Sequence, residues 1–595
     1  MTIPELFERS IGSMPREAAL SWWTPQLQRN VSTAALADKV RRFAAGLLAL
    51  GLRKGDRVLL ISENRPEWAA TDYATAFAGG ILVPVYVSLT PDQLHYILEN
   101  SGARYAVAST QALLDKLLAA AHDVPNLSQV IVIDQDAAAE DVMHFDSVCA
   151  MGDDLLKGSP NAWKEPAARL KIDDVATIIY TSGTTGPPKG VMLSHGNLTS
   201  NVKVLCETLE FCPDDVTLSF LPLCHVTQRL ADYCYFHRGA RIVYVALDHV
   251  SAALKAVRPT TFPGVPRVFE KARDAILARA ADRPAPLRAL FRWGLEVGRE
   301  MAGARLEGRD PGAWLKLRHA LADRLVLSKV RQGLGGRLRF AVCGGAPLSP
   351  EVARFFLSFG LTILEGYGLT ETTVLSINRH GRMAPGTVGP PLDGMELRME
   401  EDGEILVRGP GVARGYYLDV KRTERDFQDG WFRTGDLGRL DDRGNLVITG
   451  RKKELLVTSG GKKVPPALIE HSLLAHDLIS QAILVGDGRK FISALLVPDR
   501  AKVKARCKEM NLDADGSSFE ALLRRREVEA LFEPIISAVN RGLSRFEQIK
   551  KFVLLPDEFT IEGGELTPTM KVRRQVVEQK YRHLIEPLYL EPKEA

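Results

Sequence analysis

Short apolar runs alternate with helix-length stretches through the first two thirds of the chain. The runs lie at 57–62, 81–87, 105–109, 130–134, 176–182, 241–247 and 338–345. Apolar runs of about four to eight residues between helical segments are typical of strands covered by helices on both faces, as in parallel sheets. The pattern predicts an α/β fold with largely parallel sheets.

The pattern changes from Gly386 onward. Short strand candidates such as 403–409 and 444–450 are separated by glycine and aspartate turns, which predicts a small antiparallel β subdomain over 386–450. After residue 450, the runs at 480–487 and 491–499 indicate strands of a compact terminal α+β domain. We therefore place the boundary between an N-terminal domain, 1–450, and a C-terminal domain, 451–595, near Arg451.

Composition and charge exclude several protein classes. The 595 residues are 45% hydrophobic and 25% charged, which excludes wholesale disorder. A net charge of +4 is too small at this length to indicate a nucleic-acid-binding protein. The seven cysteines contain no C-x-x-C pair, which argues against a disulfide or zinc framework. Because the sequence shows neither an export signal nor a membrane-spanning run, we expect a cytoplasmic protein.

Residues 266–339 form a strongly basic, helix-rich segment, with 17 basic residues against 8 acidic ones. One interpretation is a solvated helical surface. The other is a surface that attracts anionic lipid, since each basic residue near such a membrane adds on the order of 1 kcal/mol. Under the second interpretation, we expect a peripheral contact with the inner face of the membrane.

The segment IIYTSGTTGPPKG, 178–190, carries the clearest chemical signal. It follows a predicted strand and combines hydroxyls, glycines and one cation, Lys189. Glycines let backbone N–H groups approach phosphate oxygens, and hydroxyls donate hydrogen bonds without adding charge. A Walker A loop has its lysine directly after the second glycine, whereas here Pro187 and Pro188 intervene. The segment therefore predicts a polyphosphate-binding loop of another kind.

This loop resembles the phosphate loop of the adenylate-forming superfamily, which contains acyl-CoA synthetases, peptide-synthetase adenylation domains and luciferases. Further segments resemble that superfamily in the expected order: GGAPLS at 344–349, EGYGLTET at 365–372, GWFRTGDLG at 430–438, GRKKELLVTSGGKKVPPALIE at 450–470 and LTPTMKVRR at 566–574. The resemblance spans nearly the whole chain. It implies a large N-terminal adenylate-forming domain of layered α/β sheets and a smaller, mobile α+β C-terminal domain.

Two other segments resemble the long-chain fatty acid–CoA ligase family in particular. They are FLPLCHVTQR at 220–229 and TFPGVPRVFEK at 261–271. This resemblance implies an enzyme that uses ATP, Mg²⁺ and CoA to convert a long-chain fatty acid into its CoA thioester through an acyl-adenylate. The sequence sets neither the preferred acyl chain length nor the oligomeric state.

The resemblance also assigns the nucleotide contacts. In the family, the tyrosine of GYG lies against adenine, and an acceptor-only carboxylate such as Asp436 suits the two ribose hydroxyls. The implied ATP and AMP contacts are Thr181, Ser182, Gly183, Thr184, Thr185, Gly186, Lys189, Gly344, Gly345, Ala346, Glu365, Gly366, Tyr367, Gly368, Thr370, Asp436 and Arg451. Glu371 and Thr184 are the implied Mg²⁺ ligands, because a hard cation prefers oxygen.

Catalytic roles follow from the same resemblance for Lys571, Thr184, Glu371 and His225. An ammonium group such as that of Lys571 offsets the negative charge that builds as a carboxylate attacks the α-phosphate. Met570 precedes it where families often have glycine. His225 is expected to close the carboxylate end of the acyl pocket, or else to be a structural histidine.

The last implied sites concern movement and CoA. Lys453 occupies the position of the hinge, where backbone rotation would swing the C-terminal domain between two poses. The implied CoA contacts are Ser459, Gly460, Gly461 and Lys462, since the two glycines leave room for pantetheine.

Alternative functions remain open on the sequence. A fatty acyl-AMP ligase would donate its adenylate to a carrier protein, and a related ligase would activate another carboxylic acid. From other classes, the chain would be a nucleotide-binding scaffold without catalysis, or a peripheral membrane protein that does not turn over ATP. Lys571, Glu371, Asp436 and the phosphate loop argue against loss of catalysis.

Overall fold

The predicted apolar runs form strands in the computed structural model, which describes residues 1–181, 187–510, 512, 518–560, 562–566 and 572–590. Within these residues, the strands are β1 (Leu20–Trp23), β2 (Gln28–Val31), β3 (Arg57–Ile61), β4 (Ile81–Val85), β5 (Tyr105–Ala108), β6 (Gln129–Val132), β7 (Val142–His144), β8 (Val175–Thr181), β9 (Lys189–Ser194), β10 (Val216–Ser219), β11 (Arg241–Val245), β12 (Thr261–Gly264), β13 (Phe340–Cys343), β14 (Thr362–Leu369), β15 (Thr373–Ile377), β16 (Glu396–Met399), β17 (Glu404–Arg408), β18 (Gly415–Tyr416), β19 (Phe427–Gln428), β20 (Trp431–Leu440), β21 (Leu446–Arg451), β22 (Leu456–Val457), β23 (Lys463–Val464), β24 (Ile479–Val485), β25 (Ile492–Pro498) and β26 (Ile549–Leu554).

Two eight-stranded sheets contain most of the N-terminal strands. Their strand orders are β15-β14-β13-β12-β10-β11-β1-β2 and β18-β9-β8-β4-β3-β5-β6-β7. Most neighbours run parallel, and the antiparallel pairs β14–β15, β1–β2, β8–β9 and β9–β18 lie toward sheet ends. The prediction of largely parallel sheets within an α/β fold is confirmed.

Helices cover these sheets. Several begin at side chains that cap the helix, such as Thr90 and Ser194, each of which accepts a hydrogen bond from the backbone three residues on. The α-helices of the described residues are α1 (Ile3–Ser13), α2 (Thr33–Ala49), α3 (Pro66–Phe77), α4 (Pro91–Ser101), α5 (Gln111–Ala120), α6 (Phe145–Gly158), α7 (His195–Thr208), α8 (Val226–His237), α9 (Val250–Val257), α10 (Pro266–Ala281), α11 (Ala285–Leu306), α12 (Ala313–Ala322), α13 (Ser328–Gly333), α14 (Pro350–Ser358), α15 (Val420–Asp426), α16 (Pro466–Leu474), α17 (Arg500–Glu509), α18 (Phe519–Leu523), α19 (Arg526–Glu529), α20 (Glu533–Asn540), α21 (Arg574–Lys580) and α22 (Arg582–Tyr589).

The chain divides into two compact units. The first unit comprises Met1–Arg398, Leu406–Arg433 and Asp441–Leu446, and the second comprises Met399–Ile405, Thr434–Leu440 and Val447–Ala595. Both eight-stranded sheets belong to the first unit. The second unit contains a three-stranded sheet of order β24-β25-β26 and the β22–β23 hairpin. The boundary near Arg451 stays a prediction.

The segment 386–450 does not form one separate sheet. A five-stranded sheet has the order β16-β17-β20-β19, with β21 beside β20, but β18 pairs with β9 in an eight-stranded sheet of the first unit. The pairing places Tyr416 opposite Val191. This strand brings a residue from the predicted β subdomain next to the phosphate loop.

The basic segment 266–339 is helical, as predicted. It contains α10, α11, α12, a π-helical turn at Asp323–Leu327 and α13. Its inner side packs into the core of the first unit through Leu295, Val297, Val326 and Leu327. None of the helices within the described ranges is sufficiently long and apolar to span a bilayer.

Candidate active site

The phosphate loop joins two antiparallel strands. Thr181 at the end of β8 lies opposite Lys189 at the start of β9. The buried hydroxyl oxygen of Thr181 has no hydrogen-bond partner among the described residues, so it is available to a ligand oxygen. The predicted contacts Ser182, Gly183, Thr184, Thr185 and Gly186 lie outside the described residues.

Three side chains meet beside this loop in the first unit. The ammonium group of Lys189 donates a hydrogen bond to Oε1 of Glu371 and another, of 2.8 Å, to the hydroxyl of Tyr416. The Tyr416 hydroxyl in turn donates to Oε1 of Glu371 over 3.1 Å. Lys189 also lies 4.3 Å from the centroid of the Tyr416 ring, within range of a cation–π interaction. The cluster joins the predicted phosphate-binding cation to the predicted metal ligand.

Hydrogen bonds to backbone groups hold the Glu371 turn of this cluster in place. Glu371 lies in the turn between β14 and β15, where the hydroxyl of Thr372 accepts from the backbone N–H of Leu369 over 2.9 Å. The backbone carbonyl of Glu371 accepts from the N–H of Ala413 over 2.8 Å. Because Ala413 lies just before β18, this bond holds the Glu371 turn next to the strand that carries Tyr416. The cluster is therefore built by the fold and does not depend on side-chain contacts alone.

The Tyr416 hydroxyl stays protonated over a wide pH range. Burial raises its pKa well above the usual value, and the negative charges of Glu371 and Asp426 raise it further. The hydroxyl therefore acts as a hydrogen-bond donor to Glu371.

The segment 344–346 lies beside the middle of β14. Gly264, Cys343 and Glu365 are in register across the parallel strands β12, β13 and β14. A Cβ atom placed on Gly344 would be 3.5 Å from the carbonyl oxygen of Gly366. Ligands of open α/β sheets bind at the carboxyl ends of strands. Gly344, Gly345, Ala346, Glu365 and Gly366 are thus grouped at such an edge.

Glu365 has an unusual environment. Its side chain is buried, and burial raises its pKa to about 7, although the backbone N–H groups of Leu348 and Gly386 counter part of this rise. The N–H of Leu348 lies 3.4 Å from Oε2 of Glu365. The carboxyl group therefore changes its protonation state near neutral pH.

The glycines around Tyr367 have a structural reason that sequence reasoning missed. A Cβ atom on Gly368 would lie 1.9 Å from the carbonyl oxygen of Thr373, so glycine is required where β14 turns back into β15. Gly366 is less restricted, with its nearest contact 3.2 Å away on Ile377. The contact of Tyr367 with adenine and the role of Thr370 stay predictions.

His225 caps a helix. Its Nδ1 atom accepts a hydrogen bond of 3.3 Å from the backbone N–H of Thr227, at the start of α8. Arg229, one turn further along, is fully buried and paired with Asp72, whose carboxylate also accepts from Tyr233 over 2.6 Å. The FLPLCHVTQR segment thus contributes Arg229 to a buried structural ion pair with Asp72. The role of His225 at the acyl pocket stays a prediction.

In the second unit, Asp436 and Arg451 form an ion pair. Nε of Arg451 is 2.7 Å from Oδ1 of Asp436, whose side chain is only 3% exposed. Thr434 supports this position, since its hydroxyl accepts from the backbone N–H of Asp436 over 3.0 Å and donates to the carbonyl of Ile405 over 2.7 Å. Both predicted nucleotide contacts therefore occupy one place in this unit.

The predicted hinge residue Lys453 lies in a 3₁₀ turn, Lys452–Glu454. Its neighbour Lys452 forms ion pairs with Asp402, at 2.5 Å, and Glu404, at 2.9 Å. These bonds anchor the start of the turn within the second unit.

The predicted CoA contacts form the exposed turn between β22 and β23. Ser459 donates its backbone N–H to the carbonyl of Arg489 over 2.8 Å, and Gly461 adopts a positive φ of 75°. Glycine tolerates this conformation without strain. Lys462 and Gly460 lie in the same exposed turn. Lys571, the predicted catalytic cation, lies outside the described residues.

A divalent cation fits the cluster in the first unit only if a substrate supplies further oxygen ligands. Across the part of the chain that the structure describes, no three His, Cys, Asp or Glu side chains come together as a ligand set. In nucleotide sites, however, Mg²⁺ typically takes one or two carboxylates and the substrate's phosphate oxygens. The buried carboxylate of Glu371 beside the phosphate loop is compatible with that arrangement.

Tyr416 is the functional candidate that sequence reasoning missed. Its contact with Glu371 joins residues 45 positions apart, and its contact with Lys189 spans 227. The local signal is a Gly-Tyr pair, which by itself is compatible with an ordinary strand residue. Only the β9–β18 pairing reveals its place.

The chain matches two family models. Residues 7–417 match the AMP-binding enzyme model, and residues 453–593 match the model of the AMP-binding enzyme C-terminal domain. Among curated relatives, the long-chain-fatty-acid–CoA ligase FadD15 of Mycobacterium bovis is 39% identical over 565 residues, covering 94% of this chain and 92% of the relative. The human long-chain-fatty-acid–CoA ligase ACSBG1 is 31% identical over 640 residues, covering 100% and 86%.

Solved structures share the fold. ATP-bound MatB from Rhodopseudomonas palustris has a TM-score of 0.72 at 24% identity, covering 98% of this chain and 100% of that one. The anthranilate CoA ligase AuaEII, in complex with anthranoyl-AMP, has a TM-score of 0.75 at 20% identity and 98% coverage of both chains. These similarities confirm the predicted fold class.

Proposed function

Because the chain belongs to the AMP-binding enzyme family, as the resemblance to adenylate-forming enzymes predicted, we propose that it is an AMP-forming long-chain fatty acid–CoA ligase. The relatives FadD15 and ACSBG1 carry that activity in their names and align over nearly their whole lengths. The substrates are then ATP, a long-chain fatty acid and CoA.

The observation that carries this proposal is the cluster of Lys189, Glu371 and Tyr416. It joins a cation and a carboxylate next to a loop rich in glycines and hydroxyls. Such a set serves an enzyme that must bind a triphosphate and stabilise charge on it during reaction. A scaffold without catalysis would not need a buried glutamate paired with a half-buried lysine at this place, because burying charged groups is costly.

In the first half-reaction, an oxygen of the fatty acid carboxylate attacks the α-phosphorus of ATP. The bond between that phosphorus and the bridging oxygen to the β-phosphate breaks, and pyrophosphate leaves. Lys189 neutralises phosphate charge, and Lys571 is proposed to offset the charge that builds between carboxylate and α-phosphate. Asp436 is proposed to accept hydrogen bonds from the ribose hydroxyls.

In the second half-reaction, the sulfur of CoA attacks the carbonyl carbon of the acyl-adenylate. The carbon–oxygen bond to AMP breaks, AMP leaves with that oxygen, and the thiol proton passes to solvent. The exposed turn containing Ser459, Gly460, Gly461 and Lys462 is proposed to contact CoA. Rotation at Lys453 is proposed to separate the two half-reactions in time.

Mg²⁺ is proposed as the metal of this enzyme. Glu371 would hold it together with Thr184 and the phosphates of ATP, and the ion would neutralise charge on the leaving pyrophosphate. Tyr416 and Lys189 orient the Glu371 carboxylate through their hydrogen bonds to Oε1.

The basic segment 266–339 is proposed to bring the enzyme to an anionic membrane surface. Long-chain fatty acids partition into bilayers, so a ligase that contacts the bilayer meets its substrate at a high local concentration. The attraction would come from lysine and arginine side chains and would weaken with salt.

Identification of the product tests the proposal. Protein, ATP, Mg²⁺ and palmitate are incubated with CoA, and the products are separated and identified by mass spectrometry. We expect palmitoyl-CoA and AMP with CoA present, and palmitoyl-AMP when CoA is omitted. Transfer to a carrier protein but not to CoA would favour the acyl-AMP ligase, and turnover of aryl or branched acids alone would favour a ligase for another carboxylic acid.

A further inference from the structure

The outer face of α12 carries a stripe of large apolar side chains. Trp314, Leu317 and Leu321 are 69%, 63% and 52% exposed. Their spacing of three and four residues places them on one face of the helix. A row of large apolar side chains exposed on one helix face is a candidate binding surface.

The stripe is not the side of α12 that packs against the protein core. The opposite side of α12 already contacts the protein, since Ala322 is fully buried and Leu315 packs against the core cluster of the first unit. The helix is also tied to α11, because Arg318 forms hydrogen bonds of 2.9 and 3.2 Å with the carboxylate of Glu300. The exposed side chains therefore sit on a helix that is held in place.

The segment 266–339, which carries the stripe, has strongly one-sided charge. Seven of the eight acidic residues in 266–339 already form ion pairs with basic residues of the same segment. Nine exposed basic residues have no acidic partner within 4.0 Å among the described residues: Lys271, Arg279, Arg283, Arg288, Arg292, Arg305, Arg324, Lys329 and Arg337. Arg324 follows Leu321 by three residues.

We propose that α12 docks on an anionic lipid bilayer and inserts Trp314, Leu317 and Leu321 at the boundary between headgroups and acyl chains. Tryptophan and leucine favour that boundary, and lysine and arginine side chains of the same segment would reach the lipid phosphates. This inference deepens the proposed membrane contact, on which it rests, by naming an insertion face. Because insertion buries apolar surface, part of the binding should persist at salt concentrations that screen the charges.

Vesicle binding tests the insertion face directly. The full chain is sedimented with vesicles of phosphatidylcholine and phosphatidylglycerol, or of phosphatidylcholine alone, over a range of salt. The test variant is Trp314→Ser/Leu317→Ser/Leu321→Ser. The matched control, Leu27→Ser/Ile172→Ser/Leu247→Ser, removes three apolar side chains that are 57%, 51% and 62% exposed elsewhere on the same unit.

We expect the test variant to need roughly tenfold more lipid, or greater, for half-maximal binding, while the control binds as the wild type does. If the test variant binds vesicles as well as the wild type and salt abolishes the binding of both, the contact is purely electrostatic and the proposed insertion face is wrong. Absence of wild-type binding would overturn both. A change in oligomeric state of the test variant without any vesicle binding would assign the stripe to self-association and overturn the proposal.

Fluorescence of Trp314 supplies a second readout that does not depend on removing the stripe. The emission of the wild type minus that of Trp314→Phe is recorded with and without vesicles. We expect a blue shift and quenching by brominated lipid chains. An unchanged difference spectrum would overturn the proposal. Turnover of detergent-dispersed fatty acid, which needs no vesicle, should be equal in all variants and shows that each is folded.

Discussion

The hydroxyl of Tyr416 donates a 3.1 Å hydrogen bond to the same carboxylate oxygen of Glu371 that the ammonium of Lys189 contacts. This one oxygen atom therefore accepts hydrogen bonds both from a cation of the phosphate loop and from a neutral hydroxyl on β18. Because the hydroxyl also accepts from Lys189, each of the three groups fixes the other two.

Removal of the Tyr416 hydroxyl should loosen this cluster. We expect Tyr416→Phe to lower kcat/KM for ATP in pyrophosphate release by about tenfold, since a hydrogen bond to a charged group contributes roughly 1.5–3 kcal/mol. The ring, and its contact with Lys189, would remain. Tyr417→Phe is the matched control, and we expect it to change kcat/KM little. Equal effects of the two substitutions would contradict a specific role for Tyr416.

His225 has two candidate roles that one substitution separates. Asparagine is a good helix cap, so His225→Asn should keep α8 intact while it removes the imidazole ring. If His225 closes the acyl pocket, kcat/KM for fatty acid should fall about tenfold or more while the apparent Tm stays within a few degrees. Unchanged kinetics would show that the residue serves only as a cap.

The protonation of Glu365 should make stability depend on pH. Its pKa is about 7 in the folded chain against 4.5 for an ordinary glutamate, so the unfolded chain loses this proton first as the pH rises. This group's contribution to stability is therefore largest below about pH 4.5 and is lost as the pH rises to 7.

We expect Glu365→Gln to match the wild type near pH 5 and to be more stable at pH 8, by on the order of 2 kcal/mol. Thermal unfolding at the two pH values measures this difference. The exposed Glu401→Gln is the control. A variant that is less stable than the wild type at pH 8 would contradict the assigned environment of Glu365.

Lys571 should act on only one half-reaction. We predict that Lys571→Ala lowers adenylation by on the order of 10² to 10³ and leaves conversion of supplied acyl-adenylate to acyl-CoA largely intact. Single-turnover assays of the separate steps measure both rates, with the exposed Lys550→Ala as control. Equal loss of both half-reactions would refute this role.

The features that could be predicted from the sequence are those that a local pattern or a motif defines. The runs at 57–62, 105–109 and 241–247 became β3, β5 and β11, because a buried parallel strand is defined by its own apolar residues. The segments around Gly344 and Glu365 were also identified from the sequence, because their motifs resemble the nucleotide pocket of the adenylate-forming superfamily.

Other features depend on residues that are distant in sequence. Nothing near Tyr416 shows that it will lie beside Lys189, because the contact requires β18 to pair with β9. Likewise, the sequence did not show that Gly368 is required by the carbonyl of Thr373, or that Arg229 is buried against Asp72. The basic charge of 266–339 is evident from the sequence. The exposed stripe on α12 is not, because its exposure depends on which helix faces pack into the core.

The most direct measurement of the central claim is the release of pyrophosphate and AMP across fatty acids from short to very long, with and without CoA. If the protein is a long-chain fatty acid–CoA ligase, AMP formation will require CoA and will be fastest with fatty acids of long acyl chain. Pyrophosphate release without CoA-dependent AMP formation, or turnover restricted to other acids, would contradict it.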